Sequence, residues 1–145
     1  MNSQRSRDEV KDVALEILGL CKACTLATVG YGIPWATSVF FANEALTIYL
    51  ILEKGGKSIA NIVSNPKVAL AIDNRVPDRF VQIGGVAEAL KGPEAERGRQ
   101  LVYGRLPEYK SFFEAVPTSV VKVRSRVVYV SDMVRGWFPA RTVNL

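Results

Sequence analysis

From residue 25 to residue 89 the chain is a succession of short β-rich runs broken by turn residues, and this pattern limits the fold more than any other feature. Residues 25–29, 35–41, 46–52, 68–72 and 80–89 are rich in Val, Ile, Thr, Phe and Tyr, the residue types that fit a pleated, half-buried surface. The Gly- and Pro-containing stretch 30–34 separates the first two runs as a hairpin turn would, and Asn43-Glu44 reads as the next turn. A longer run covers 120–130, and a turn or short strand follows through Trp137. Sequential strands joined by short turns pair antiparallel. Six or more of them in 145 residues predict a small barrel, because closure removes exposed strand edges. The Gly-rich phosphate fingerprints of parallel nucleotide-binding folds are missing from the sequence.

Helices flank this pattern. Val10, Val13, Ala14, Ile17 and Leu18 recur at helical spacing among charged residues, so 7–20 reads as an amphipathic helix ended by Gly19. A short helix is expected at 57–64, stopped at Asn65-Pro66. Gly92-Pro93 opens another at 94–103, and 107–113 reads as a further short one. The length fits one domain over residues 1–145, with the helix within 1–20 packed on the barrel. Hydrophobic residues at 48% and charged residues at 23% are in the globular range. No apolar run approaches the roughly 20 residues that a membrane helix needs. The opening MNSQRSRDEVKD is too charged for a signal peptide, so a cytoplasmic location is the default expectation.

Chemistry is narrowed by what is missing. The sequence has no histidine. That removes Ser-His-Asp and Cys-His nucleophilic sites, the usual base near neutral pH and the usual proximal haem ligand. Any redox or group-transfer chemistry would rest on a cofactor. Cys21 and Cys24 form a lone CxxC pair with no further Cys or His to complete a zinc site, and no metal is expected. They follow a helix and precede a strand, whereas a redox pair sits at a helix N-terminus, so we read them as small core or linker residues. The net charge is +5. Lys122, Arg124, Arg126, Arg135 and Arg141 stand against Asp132 near the C-terminal end. No nucleic-acid motif accompanies them, and a solvated barrel face is the preferred reading. Alternation puts Lys122, Arg124 and Arg126 on one face of their strand. Trp35, within a strand, is read as core, and Tyr103 and Tyr109 as core or interface aromatics.

The segment LILEKGGKSIANIVSNPKVALAI carries the most specific signal. A strand ends in a glycine-containing turn from which a helix starts. Backbone N–H groups at a helix N-terminus favour an anion. Gly55 and Gly56 admit a ligand close to the backbone, Lys54 and Lys57 add positive charge, and Ser58 adds a donor. These residues fit two readings equally, a phosphate pocket and a solvated turn that starts a helix.

Taken in order, CTLATVGYGIPWATSVFFA, LTIYLILEKGGKSIANI, SNPKVALAI and VQIGGVAEAL resemble the pyridoxamine 5'-phosphate oxidase-related, FMN-binding split-barrel family. Tyr103, Leu106 and Pro107 and the closing strand fit as well. The resemblance implies a mostly β fold, a six- to seven-stranded antiparallel split β-barrel with flanking helices. It also implies a homodimer with flavin sites at the subunit interface and FMN as cofactor, F420 being the alternative. The activity implied is that of a flavin-dependent oxidoreductase. The alternatives are a flavin-binding or electron-transfer protein without its own substrate and an F420-dependent reductase. By resemblance the phosphate lies against Lys54, Lys57 and Ser58. The flavin ring runs along the second and third strands, lined by residues from Trp35 to Val39, with Thr37 and Ser38 as polar contacts. Gln82 reaches the ribityl chain or a ring oxygen, and Trp137 or Arg141 covers the site from the partner subunit. One feature departs from the family pattern. Many FMN-binding members carry two basic residues where this chain has Lys57-Ser58.

Overall fold

The computed structural model describes residues 2–74 and 78–145, with side chains from residue 9 onward. Helix α1 (Asn2–Leu20) is followed by strands β1 (Ala23–Gly30), β2 (Ile33–Glu44) and β3 (Thr47–Glu53). Then come α2 (Lys57–Ser64), β4 (Lys67–Asp73), β5 (Arg79–Ala89) and α3 (Gly92–Arg105). A 3-10 turn (Pro107–Tyr109), α4 (Lys110–Ala115), β6 (Thr118–Asp132) and β7 (Trp137–Thr142) complete the chain. All pairings are antiparallel, in the order β3-β2-β1-β4-β5-β6-β7. β3 also pairs with β6. Six strands therefore close into a barrel, and β7 lies beside it on β6, as the sequence pattern predicts.

The first hairpin turns on Tyr31 and Gly32, both at positive φ (53° and 74°), with Gly30 opposite Ile33. Such a two-residue turn matches the right-handed twist of its strands. The second turn is at Ala45-Leu46, two residues later than the sequence suggests. There the Asn43 amide donates to the Ala45 carbonyl, so the polar pair ends the strand and does not form the turn itself.

The barrel interior holds Leu26, Phe41, Ile48, Leu50, Ile72, Val81, Ile83 and Val128, all almost fully buried. α1 closes one end with Val10, Val13, Ala14, Ile17 and Leu18. Buried Arg79 on β5 reaches Glu16 of that helix at 3.2 Å. Arg105 fastens the helix's other end by donating to the carbonyls of Leu18 and Cys21 and to the Asn43 side chain. A second apolar layer, with Tyr49, Ile51, Val102, Tyr103, Leu106 and Phe113, lies under α3 and α4 on the outside of β2, β3 and β6. Tyr103 belongs to that layer and Tyr109 packs against it.

One local reading changes. The basic residues of β6 do not all share a face. Gly84 pairs with Val127 and Gly85 with Ser125, which leaves Arg126 as the extra residue of a bulge. Inward residues are odd-numbered before it (Val121, Val123) and even-numbered after it (Val128, Val130). Lys122 and Arg124 are paired with Glu94 and Glu88, as fits a solvated face. Cys21 and Cys24 are both buried in the barrel core, as read from their position.

Candidate functional site

β2 is the strand that makes the site, because it outlasts its partner. Along residues 33–40 it pairs with β1, whereas only residues 41–44 pair with β3. From Ile51 to Glu53, β3 pairs with β6 alone. The two strands therefore part just beyond the Phe41–Leu50 pair, and a cleft opens between them. The Phe41 N–H donates to the Lys22 carbonyl at 3.1 Å, which turns the odd residues of β2 toward β1. By the same alternation Ala36 and Ser38 direct their backbone N–H and C=O groups into the split, where no strand meets them.

The cleft encloses about 350 Å³. Trp35, Thr37, Ser38, Val39 and Phe40 form one wall, Ile51, Leu52 and Glu53 the other, and Gly56, Lys57 and Ser58 the floor. Gly56 is the cap residue of α2, with no side chain bonded across the helix start. The first N–H groups of α2 thus face the cleft without a competing cap. Lys57 sits over the face of Trp35, its Nζ 5.0 Å from the ring centroid, and has no carboxylate partner among the described residues. Ser58 is buried, and its hydroxyl makes no hydrogen bond among the described residues. α2 is locked to the barrel from below. The Asn61 amide donates to the buried Thr28 hydroxyl at 3.0 Å, directly beneath Gly30.

Within one subunit Thr37, Ser38, Lys57 and Ser58 are therefore brought together, while Lys54, Gln82 and Trp137, the last expected from the partner subunit, lie outside this cleft. Lys54 lies in the exposed turn before α2, outside the cleft lining. Gln82 is on the outer face of the barrel in a separate concavity of about 380 Å³, beside Thr25, Ala71 and Tyr129. Trp137 is 4% exposed and belongs to the barrel core. Its ring lies between Arg135 and Arg141, whose guanidinium carbons are 5.6 and 4.9 Å from the centroid. At the surface of β7 it is thus Arg141 that is presented.

The sequence reading missed one charged lining residue, Glu53. Trp35, which the resemblance sets among the flavin-lining residues 35–39 and its strand position alone suggests as core, is 42% exposed because the split leaves it without a strand to cover it. Its signal was parity, since it alternates with Thr37 and Val39 on one face. Glu53 ends β3 at the cleft rim and forms no ion pair among the described residues. The buried thiols lie away from Lys57. Burial pushes the Cys24 thiol up to about 12, and burial followed by Asp73 raises Cys21.

With this geometry in place, comparison with known families is decisive. The family model for pyridoxamine 5'-phosphate oxidase matches residues 10–130. The chain belongs to this family. No curated protein sequence matches it. Among solved structures, a putative pyridoxamine 5'-phosphate oxidase from Listeria innocua is 22% identical with a TM-score of 0.67, covering 83% of this chain and 96% of its own. A FAD-binding protein from Mesorhizobium loti is 20% identical with a TM-score of 0.70, at 80% and 87% coverage. A heme-binding protein from Mycobacterium smegmatis is 23% identical with a TM-score of 0.74, covering 84% of this chain and 53% of its own. At these identities the likeness shows the fold, a pyridoxamine-phosphate-oxidase-like split barrel. Members with this fold include flavin- and haem-binding proteins. No helix among the described residues is long and apolar enough to cross a membrane.

Proposed function

We propose that the cleft between β2 and β3 binds a flavin, FMN in the first instance, and that the protein is a flavin-dependent oxidoreductase. The observation that carries this reading is the convergence of a cation without a carboxylate partner, Lys57, the Ser58 hydroxyl, which makes no hydrogen bond among the described residues, and the uncapped start of α2 on the open edge of β2. Donors that converge on one cleft without partners of their own fit a ligand rich in acceptors. A phosphate would take the Lys57 and Ser58 end, where the helix start also favours an anion. The exposed backbone edge of Ala36 and Ser38 offers alternating donors and acceptors to the rim of a flat heterocycle. Trp35 and Phe40, on opposite faces of β2, supply apolar wall above and below that edge.

A bound flavin supplies hydride or single-electron exchange, so the chain itself needs no strong base, in keeping with its lack of histidine. The residues of the cleft bind and orient; the apolar walls of Val39, Ile51 and Leu52 keep water from one side. The same lack of histidine removes the commonest haem ligand, which favours a flavin over the haem of some fold relatives. A flavin carrier without its own substrate and an F420-dependent reductase remain the alternatives.

The functional unit in this proposal is a homodimer. The outer faces of β1, β4, β5 and β6 form two uncharged rows. Thr25, Ala71, Gln82 and Tyr129 make one, and Ala27, Ala69, Gly84 and Val127 the other. Uncharged, partly apolar and shallowly hollowed, this surface suits the same surface of a second copy. Of the two residues expected to reach the neighbouring subunit's cleft, Arg141 is exposed on β7 and Trp137 is buried, so this role falls to Arg141.

Purification without added cofactor tests the reading. A yellow protein that releases FMN on denaturation supports it. A colourless protein that binds neither FMN, riboflavin nor F420 in titrations rejects it. Bleaching by a reduced nicotinamide or another donor separates an enzyme from a carrier.

A further inference from the structure

We infer that Glu53 sets the ligand preference of the cleft, holding a flavin chiefly by its ring and ribityl chain and leaving little selectivity for a terminal phosphate. This rests on the flavin reading above and concerns which flavin the site takes. The charged side chains that line the cleft are two, Glu53 and Lys57, and their formal charges cancel. Lys54, the other cation of the segment, is not part of the lining. Lys57 is in addition drawn against the Trp35 face, 5.0 Å from its centroid, so its ammonium is shared before any ligand arrives.

Glu53 is fixed near the helix start by the backbone. The Gly56 N–H donates to the Glu53 carbonyl at 3.0 Å, which folds the chain back between the end of β3 and α2. A side chain at position 56 would have its Cβ 3.1 Å from that carbonyl and 3.6 Å from the Glu53 Cβ. The Glu53 Cβ is thereby held close to the start of α2, where its side chain lines the cleft without capping the helix. It has no cation within ion-pair distance among the described residues, so its charge is not neutralised inside the protein. A dianionic phosphate placed at Lys57 and Ser58 meets one cation and one opposing carboxylate. An uncharged ribityl hydroxyl meets the same carboxylate as a hydrogen-bond acceptor. The first arrangement loses by repulsion much of what the cation contributes; the second loses nothing.

The test compares FMN and riboflavin by fluorescence titration of the full-length apoprotein, in the wild type and in Glu53→Gln. The wild type is expected to bind the two within about tenfold of each other. Glu53→Gln is expected to shift the ratio toward FMN by roughly fivefold, with Glu53→Thr behaving alike. A wild-type preference for FMN above tenfold overturns the inference while leaving the flavin site standing. So does a ratio that neither variant moves. Failure of both flavins to bind removes the flavin site and this inference together. Glu53 is exposed at a strand end, so the variants are expected to fold, and their circular dichroism checks it.

Discussion

The Lys57 ammonium lies over the face of Trp35, 5.0 Å from the ring centroid, and joins the start of α2 to the open edge of β2. The two residues line the cleft from different elements, so each has a separable share in ligand binding. Lys57→Ala is expected to weaken FMN by about 1 kcal/mol. That is less than the ~1.5–3 kcal/mol of an unopposed charged hydrogen bond, because Glu53 stands opposite. Riboflavin is expected to be hardly affected. Trp35→Ala removes apolar wall and is expected to weaken both flavins alike, by about fivefold. Equal losses of the two flavins in Lys57→Ala would move the phosphate end elsewhere.

The outer rows of the barrel carry the second prediction. Ala71 is exposed and pairs with Thr25 on one side and Gln82 on the other, in the middle of the uncharged face. Ala71→Arg puts a charge there without touching the barrel interior. Light scattering at micromolar concentration is expected to read a dimer for the wild type and a monomer for the variant. Unchanged mass in the variant would place the interface on another face.

Gly30 shows how closely α2 is set against the barrel. A Cβ at this position would lie 1.9 Å from the Asn61 Oδ1. Gly30→Ala must therefore push Asn61 off the Thr28 hydroxyl or tilt the helix. Overpacking of this kind costs about 1–3 kcal/mol. Denaturant unfolding should show that loss. FMN affinity should fall with it, since α2 carries Lys57 and Ser58. A variant as stable as the wild type would mean that α2 is free to shift.

The buried thiols give a prediction in pH. Burial holds Cys24 protonated to about 12, against 9.0 for an exposed thiol. The raised value belongs to the folded state. Its stability contribution is thus intact below pH 9.0 and is lost as pH rises from there to about 12, while the unfolded thiol ionises and the folded one does not. The loss approaches ~1.4 kcal/mol for each pH unit in that window. Cys24→Ala is expected to flatten the alkaline fall in unfolding free energy, and a parallel fall in both proteins would show that other groups cause it. At neutral pH both thiols should ignore a bulky disulfide reagent until the protein unfolds.

The elements and their order were legible along the chain. Local β-propensity marked the strands, Asn65-Pro66 stopped α2, Gly92-Pro93 began α3, and sequential short turns required antiparallel pairing. Helical periodicity placed Val10, Val13, Ala14, Ile17 and Leu18 on the buried face of α1. Those signals are short-range, a matter of backbone preference and of which face is apolar. Where β2 outruns β3 emerges from the pairing of distant strands, and that mismatch in strand length creates the cleft. The same tertiary pairing left Trp35 half open, put Glu53 at the rim and buried Trp137 behind Arg141. It also turned Arg126 out at a bulge. Register, closure and bulges depend on pairing between segments far apart in the chain, and a residue's own neighbours in sequence carry no record of which partner strand will stop short.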